Sequence, residues 1–374
     1  MKIVIAPDKF KNSLSGREFC DIVEAGIKQV EPHADIIKLP LADGGDGTID
    51  VVNHYLKGSV VNVKVKGPFF QPIEASYLFS ESKRIAFIEM AEASGVKLLN
   101  PEQLDCKNAT TFGTGELILH AIKNGAAKII LGLGGSATND CGIGMAAALG
   151  YQFFDEHHTE VVPVGANLSK IAYINSSNVI KALDHIEFEV ACDVTNPLFG
   201  EQGAAYVYAA QKGANPDDVQ MLDKGLKDFS NILNTTYGVD VQAIKGAGAA
   251  GGMGVATIVF LNGEFVEGIK LIKDIADFNT SVLGADWIIS GEGKLDDQTL
   301  AGKTIDGILK SVVDKKTKVA VVCGVIELDK HRLKEIGISY ASSVVDHAVD
   351  LNDALLNTAQ HLRKMSVDFC KSQC

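Results

Sequence analysis

Several polar clusters in this chain have residue types and spacing suited to chemistry. The first is Gly132-Leu133-Gly134-Gly135-Ser136-Ala137-Thr138-Asn139-Asp140, which follows the apolar run Ile129–Leu131 and precedes a small-residue stretch at 143–149. Strand, glycine turn and helix start together form an anion site, because backbone N–H groups point outward and glycines let a phosphate approach. Ser136 and Thr138 add donors, and Asp140 is placed to face a metal. The same letters also describe a tight turn with Asn139 or Asp140 as N-cap.

Four further clusters sit where strands are expected to end. Asp8-Lys9-Phe10-Lys11-Asn12-Ser13 offers one carboxylate and two lysines for an anionic substrate, with Ser15 as cap of the next helix. Asp43-Gly44-Gly45-Asp46-Gly47-Thr48 offers carboxylates for metal or hydroxyl contacts, without the spacing of an EF-hand. Cys192-Asp193-Val194-Thr195-Asn196-Pro197 is followed by Gln211-Lys212-Gly213. A carboxylate at a buried strand end is costly unless paired, so Asp193 is expected to have a partner or a task. Ser290-Gly291-Glu292-Gly293-Lys294-Leu295-Asp296 brings carboxylates and lysine after a buried strand.

Gly302-Lys303-Thr304 ends like a P-loop, but Asp297 stands where the first glycine would be, and the motif is rejected. Gly246 to Gly254 matches Gly-x-Gly-x-x-Gly behind a weak strand, so Gly251 and Gly252 fit either phosphate contact or close backbone approach. The nine histidines show no His-x-x-x-His spacing, which argues against a zinc site. Glycine nests, lysines and carboxylates suit phosphoryl transfer better than hydride transfer, because no convincing acid lies about twenty residues beyond a clean dinucleotide fingerprint.

The elements that must hold these clusters follow from periodicity. Residues 2–6, helix 16–30, strand 35–39 and helix 48–56 read as βαβα. Strands at 60–65, 73–79 and 85–89 lack helices between them and predict an antiparallel meander. Helices are expected at 113–124, 216–236 and 264–281. Clean βα alternation then returns from 286, closing with a helix over 351–370. The expected fold is α/β: a discontinuous, doubly wound parallel sheet domain over 1–60 and 284–374, with a large mixed α/β domain inserted at 61–283.

The 374 residues suffice for two cores, and hydrophobic residues at 46% with charged residues at 22% fit a globular chain. A net charge of −12 disfavours nucleic acid or an anionic membrane as the main partner. The seven dispersed cysteines lack a Cys-x-x-Cys pair, so reduced thiols and a cytoplasmic setting are expected. The opening strand shows no signal-peptide pattern, and no apolar run is long enough to span a bilayer.

Taken in order, Gly134 to Asp140, Ala191 to Leu198, Gln211 to Ala214, Gly248 to Gly252 and Gly291 to Lys303 resemble the bacterial glycerate kinases of glycolate and glucarate utilisation. The resemblance covers essentially the whole chain from Ala6. Asn12 and Cys141 depart from it, each standing where that family usually has glycine. It implies ATP-dependent, Mg²⁺-assisted phosphorylation of D-glycerate, at the 2-hydroxyl in preference to the 3-hydroxyl. It also implies a flavodoxin-like domain carrying an insert, with the active site in the cleft.

On that reading Asp193 positions the substrate hydroxyl, and Lys9, Glu292 and Asp296 join it as catalytic candidates. Asp140, Glu292 and Asp296 are the metal candidates. Asp8, Lys11, Asp43, Gly134, Gly135, Ser136, Thr138, Asn139, Asn196, Lys212, Gly251 and Gly252 are expected to bind substrate or phosphate. The alternatives are a non-catalytic glycerate or nucleotide sensor and an NAD-linked dehydrogenase. A homodimer is the assembly considered, with no sequence feature that fixes it.

Overall fold

In the computed structural model the chain is described over residues 1–374 except 11–12, 43–47, 297–303 and 313–315. It divides into two compact units, Met1–Tyr55 with Glu267–Cys374, and Leu56–Val266. The fold is mixed α/β with parallel sheets.

The first unit holds a five-stranded, all-parallel sheet. Its spatial order is Ile338–Ser343, Lys318–Cys323, Trp287–Ser290, Lys2–Ile5, Asp35–Lys38. The central strand Trp287–Ser290 is buried throughout, as its position demands: both faces are covered by helices. Ile3, Ile5, Phe19, Val23, Ile27, Trp287 and Phe369 fill one face. Leu295, Ile305, Val319, Val321 and Ile338 fill the other.

Helices Gly16–Lys28 and Thr358–Gln373 pack closely because Gly26 has no side chain; a Cβ there would lie 2.6 Å from that of Ser366. The first of these helices starts at a capping box. Ser15 Oγ accepts from the Glu18 N–H, and the Glu18 carboxylate accepts from the Ser15 N–H.

The second unit holds a six-stranded mixed sheet ordered Glu264–Val266, Glu187–Ala191, Lys128–Gly132, Ile85–Glu89, Pro72–Ser80, Ser59–Lys66. The first four strands are parallel neighbours. The last three form the antiparallel meander read from the sequence. Ile129, Ile130 and Leu131 are fully buried, so the turn that follows them is anchored in the core.

Three elements differ from expectation. The stretch 264–281 opens as the strand Glu264–Val266 before helices Gly268–Ile275 and Phe278–Ser281. The segment 267–283 groups with the first unit, because Lys273 donates to the Gly307 carbonyl at 2.7 Å and Ile269 packs where Gly307 leaves room. The closing helix breaks at Asn357 into Leu351–Leu356 and Thr358–Gln373. Among the described residues no helix is long and apolar enough to cross a membrane.

Candidate functional site

In the second unit the turn after Lys128–Gly132 is tied to its neighbours by backbone hydrogen bonds. Ala137 N donates to Ser94 O at 2.8 Å, Asn139 N to Cys106 O at 3.2 Å and Cys141 N to Gly251 O at 3.0 Å. Ser136, Thr138, Asn139 and Asp140 are all buried. Gly134 and Gly135 stand at the start of the turn, Gly135 with a φ of +70° that favours glycine.

Lys212, only 4% exposed, reaches this turn from the 3₁₀ helix Ala210–Lys212. Its Nζ donates to Ser136 Oγ at 2.6 Å and to Thr138 O at 2.9 Å. Burial pulls the Lys212 ammonium down from the ordinary lysine value to about 8, and the Cys106 and Asp140 side chains oppose that fall. The Cys106 thiol is pushed up by burial to about 11 and stays neutral near pH 7. Thr138 Oγ1 and both polar atoms of the Asn139 amide are buried with no hydrogen-bond partner among the described residues. A turn that leaves three polar atoms unsatisfied beside a buried cation has capacity for a polar ligand.

Asp140 was expected to face a metal, and its surroundings give it another task. Its carboxylate accepts from Thr111 N and Thr111 Oγ1, both at 2.8 Å, from Gly142 N at 3.1 Å and from Gly144 N at 3.3 Å. Thr111 Oγ1 in turn accepts from Met145 N. Burial raises the Asp140 carboxyl above its usual range, against four donors that favour the charged form. With three donors on Oδ2 and one on Oδ1, Asp140 clamps the turn to the start of helix Phe112–Lys123. Thr111 was not singled out from sequence; the polar run Thr110-Thr111 before that helix is the signal that points to it.

Gly251 and Gly252 also act on the chain itself. Together with Ala250 they adopt left-handed φ values. A Cβ on Gly251 would lie 2.2 Å from Thr138 O, and one on Gly252 would lie 2.9 Å from the Cys141 Cα. Of the two readings of this loop, close backbone approach is the one these contacts favour. Asn196, expected at a ligand, closes its own loop: Nδ2 donates to Gln202 O at 2.9 Å and Oδ1 accepts from Tyr208 at 2.6 Å.

Asp193 is exposed, two residues beyond the strand Glu187–Ala191. The cost of burying a carboxylate therefore does not apply to it. Its candidacy rests on its place in the loop between the strand and Asn196.

In the first unit, adjacent parallel strands Lys2–Ile5 and Trp287–Ser290 bring the loops after them side by side; Asp8 N donates to Gly291 O at 2.8 Å. The Asp8 carboxylate accepts from Lys9 N at 2.7 Å and from Thr304 Oγ1 at 2.6 Å. Glu292 is half-buried, and its charge helps burial raise the nearby Cys323 thiol. Asp296, also half-buried, pairs with Lys294 at 3.3 Å.

A cavity of about 300 Å³ opens beside Asp8 and Lys9, lined also by Arg17, Pro40, Asp50 and His54. Arg17 adds a cation that belongs to none of the polar clusters singled out in the sequence. Lys11 and Asp43 lie outside the described residues, as do Gln298, Thr299, Gly302 and Lys303. Among the described residues no three His, Cys, Asp or Glu side chains come together as a metal cluster. Glu292 and Asp296 are half-buried carboxylates on one loop, the donor type a hard divalent cation takes.

A family model described as the glycerate kinase family matches residues 3–372. The chain belongs to the glycerate kinase family. This family membership makes it a kinase. A glycerate kinase of Bacillus cereus is 41% identical over 95% of this chain and 93% of its own length. A glycerate 2-kinase of Escherichia coli is 36% identical over 98% of this chain and 96% of its own. The crystal structure of a protein described as glycerate kinase 2 from Salmonella typhimurium LT2 superposes with a TM-score of 0.88 at 38% identity, covering 100% of this chain and 98% of that one.

Proposed function

We propose that the chain transfers the terminal phosphoryl group of ATP to the 2-hydroxyl of D-glycerate, giving 2-phosphoglycerate and ADP. The observation that carries this reading is the buried Lys212 beside Ser136, Thr138 and Asn139, in a chain that belongs to a kinase family. A buried cation with unsatisfied donors beside it suits phosphate oxygens. Gly134 and Gly135 let those oxygens approach the backbone. Asp8, Lys9 and Arg17 would hold the small acid, the two cations facing its carboxylate.

Asp193, exposed on its loop, would orient the glycerate hydroxyl and take its proton as that oxygen bonds to phosphorus and the bond to the ADP oxygen breaks. Glu292 and Asp296 would hold Mg²⁺, which offsets charge on the phosphates when bound.

The 2-hydroxyl is favoured by the printed name of the Escherichia coli relative. The strand order of the first unit, second, first, third, fourth, fifth in chain order, supports a flavodoxin-like description. Seven cysteines without a disulfide among them fit a cytoplasmic enzyme. The test is phosphorus NMR of the product formed from ATP, Mg²⁺ and D-glycerate. A phosphomonoester coupled to the C2 proton is expected. A C3 ester would move the chemistry to the other hydroxyl, and absence of any ester would overturn the kinase reading.

A further inference from the structure

Lys212 presents a stoichiometric puzzle. An ammonium has three N–H donors, and Nζ here meets two acceptors, Ser136 Oγ and Thr138 O, both uncharged. Among the described residues no carboxylate pairs with it, although it is 4% exposed. A neutral amine has two N–H groups and would satisfy both acceptors. A third proton brings a positive charge into a buried turn, which makes that proton easier to lose than from an exposed lysine, although the ammonium still predominates at pH 7. The charged and titratable groups acting on it are the Cys106 thiol, which is neutral near pH 7, and Asp140, whose oxygens are already engaged by Thr111, Gly142 and Gly144.

We propose that in alkaline solution an oxyanion and a proton bind this turn as a coupled pair, the proton passing from solvent to Lys212 Nζ and the anion compensating its charge. Thr138 Oγ1 and the Asn139 amide, unsatisfied on the same turn, supply further hydrogen-bonding capacity for that anion. This inference rests on the phosphate-handling role given to the turn above.

In the free protein the Lys212 ammonium loses its proton near pH 8. An oxyanion at contact distance strengthens proton binding by on the order of a thousandfold, which returns the group to a fully charged state at pH 9. Affinity for the anion therefore falls about tenfold for each pH step above 8.

Isothermal titration calorimetry of the full chain with ATP, and separately with D-glycerate, in two buffers of different ionisation enthalpy reads the proton directly. At pH 9 both ligands are fully deprotonated, so any proton taken up goes to the protein. ATP binding is expected to take up about 0.9 proton at pH 9 and about 0.1 at pH 7. Lys212→Arg, which cannot lose its charge, is expected to take up none.

ATP binding without buffer dependence at pH 9 would sink the coupling and leave the phosphate reading standing. Equal uptake by Lys212→Arg would also sink it, since the proton would then go elsewhere. Uptake confined to the D-glycerate arm would keep the coupling and reassign the turn to a carboxylate. If neither ligand binds, the coupling and the phosphate reading fall together.

Discussion

The turn at 134–142 and the loops at 8–10 and 291–296 all follow buried parallel strands, yet their polar side chains live in different solvents. In the second unit Ser136, Thr138, Asn139, Asp140 and Lys212 are all buried. Each interaction there acts in a low dielectric, and each unsatisfied atom is expensive. In the first unit Asp8, Lys9, Glu292 and Asp296 are half-buried, and Lys294 beside them is exposed. Water screens most of those charges and lets the side chains adjust, although Glu292 Oε1 is itself closed off from solvent. The buried turn is thus preorganised for one kind of group. On the proposed function the half-exposed loops would take the small substrate and the cation, which must enter and leave.

Substitutions test this contrast, beginning with the largest effect. Asp140→Ala leaves four buried donors without an acceptor and is expected to destabilise the protein by about 3–5 kcal/mol in urea unfolding. A loss under about 1 kcal/mol would show that the turn is held by other means.

Lys212→Met tests the dielectric itself. The folded Lys212 titrates at about 8, below the ordinary 10.5, so the unfolded chain binds more protons between those values. Stability of the natural chain should therefore rise, relative to Lys212→Met, as pH climbs from about 8 to 10.5, by a total of about 3 kcal/mol. A flat difference between pH 7.5 and pH 10 would place Lys212 in water after all.

Asp193→Asn should keep the fold, with only a small change in the unfolding midpoint because the side chain is exposed and the amide retains its shape, and lower kcat by at least about a hundredfold. Near-normal turnover would remove Asp193 from the mechanism. Lys294→Ala, at the screened end of the comparison, should shift the melting temperature by no more than about 1 °C, although Lys294 pairs with both Asp296 and Glu327. A larger shift would mean that the first-unit loops are less wet than the exposure of Lys294 indicates.

How far the sequence could be read follows from the range of the forces involved. Apolar periodicity is local, so strand Lys128–Gly132, the meander at 59–89 and the βα alternation after 286 were legible. The split of the first unit could be read from strand counting, but the unit to which 267–283 belongs could not. That depended on Ile269 meeting Gly307, a contact between helices nearly forty residues apart.

The five ordered motifs of the sequence determined the family, because residue type and order survive without coordinates. They also marked Ser136, Thr138, Asn139 and Lys212 as site candidates. Tertiary structure alone decided how deeply each polar residue is buried and what it touches. Asp140 and Asp193 are both acidic residues in Asn- and Thr-rich loops, indistinguishable by type. One is buried and accepts from Thr111, 29 positions upstream, and from two glycine N–H groups; the other is exposed. Burial and hydrogen-bond partners are properties of the packed chain, and for a charged side chain they set whether it is held inside the fold or stands at the solvent boundary.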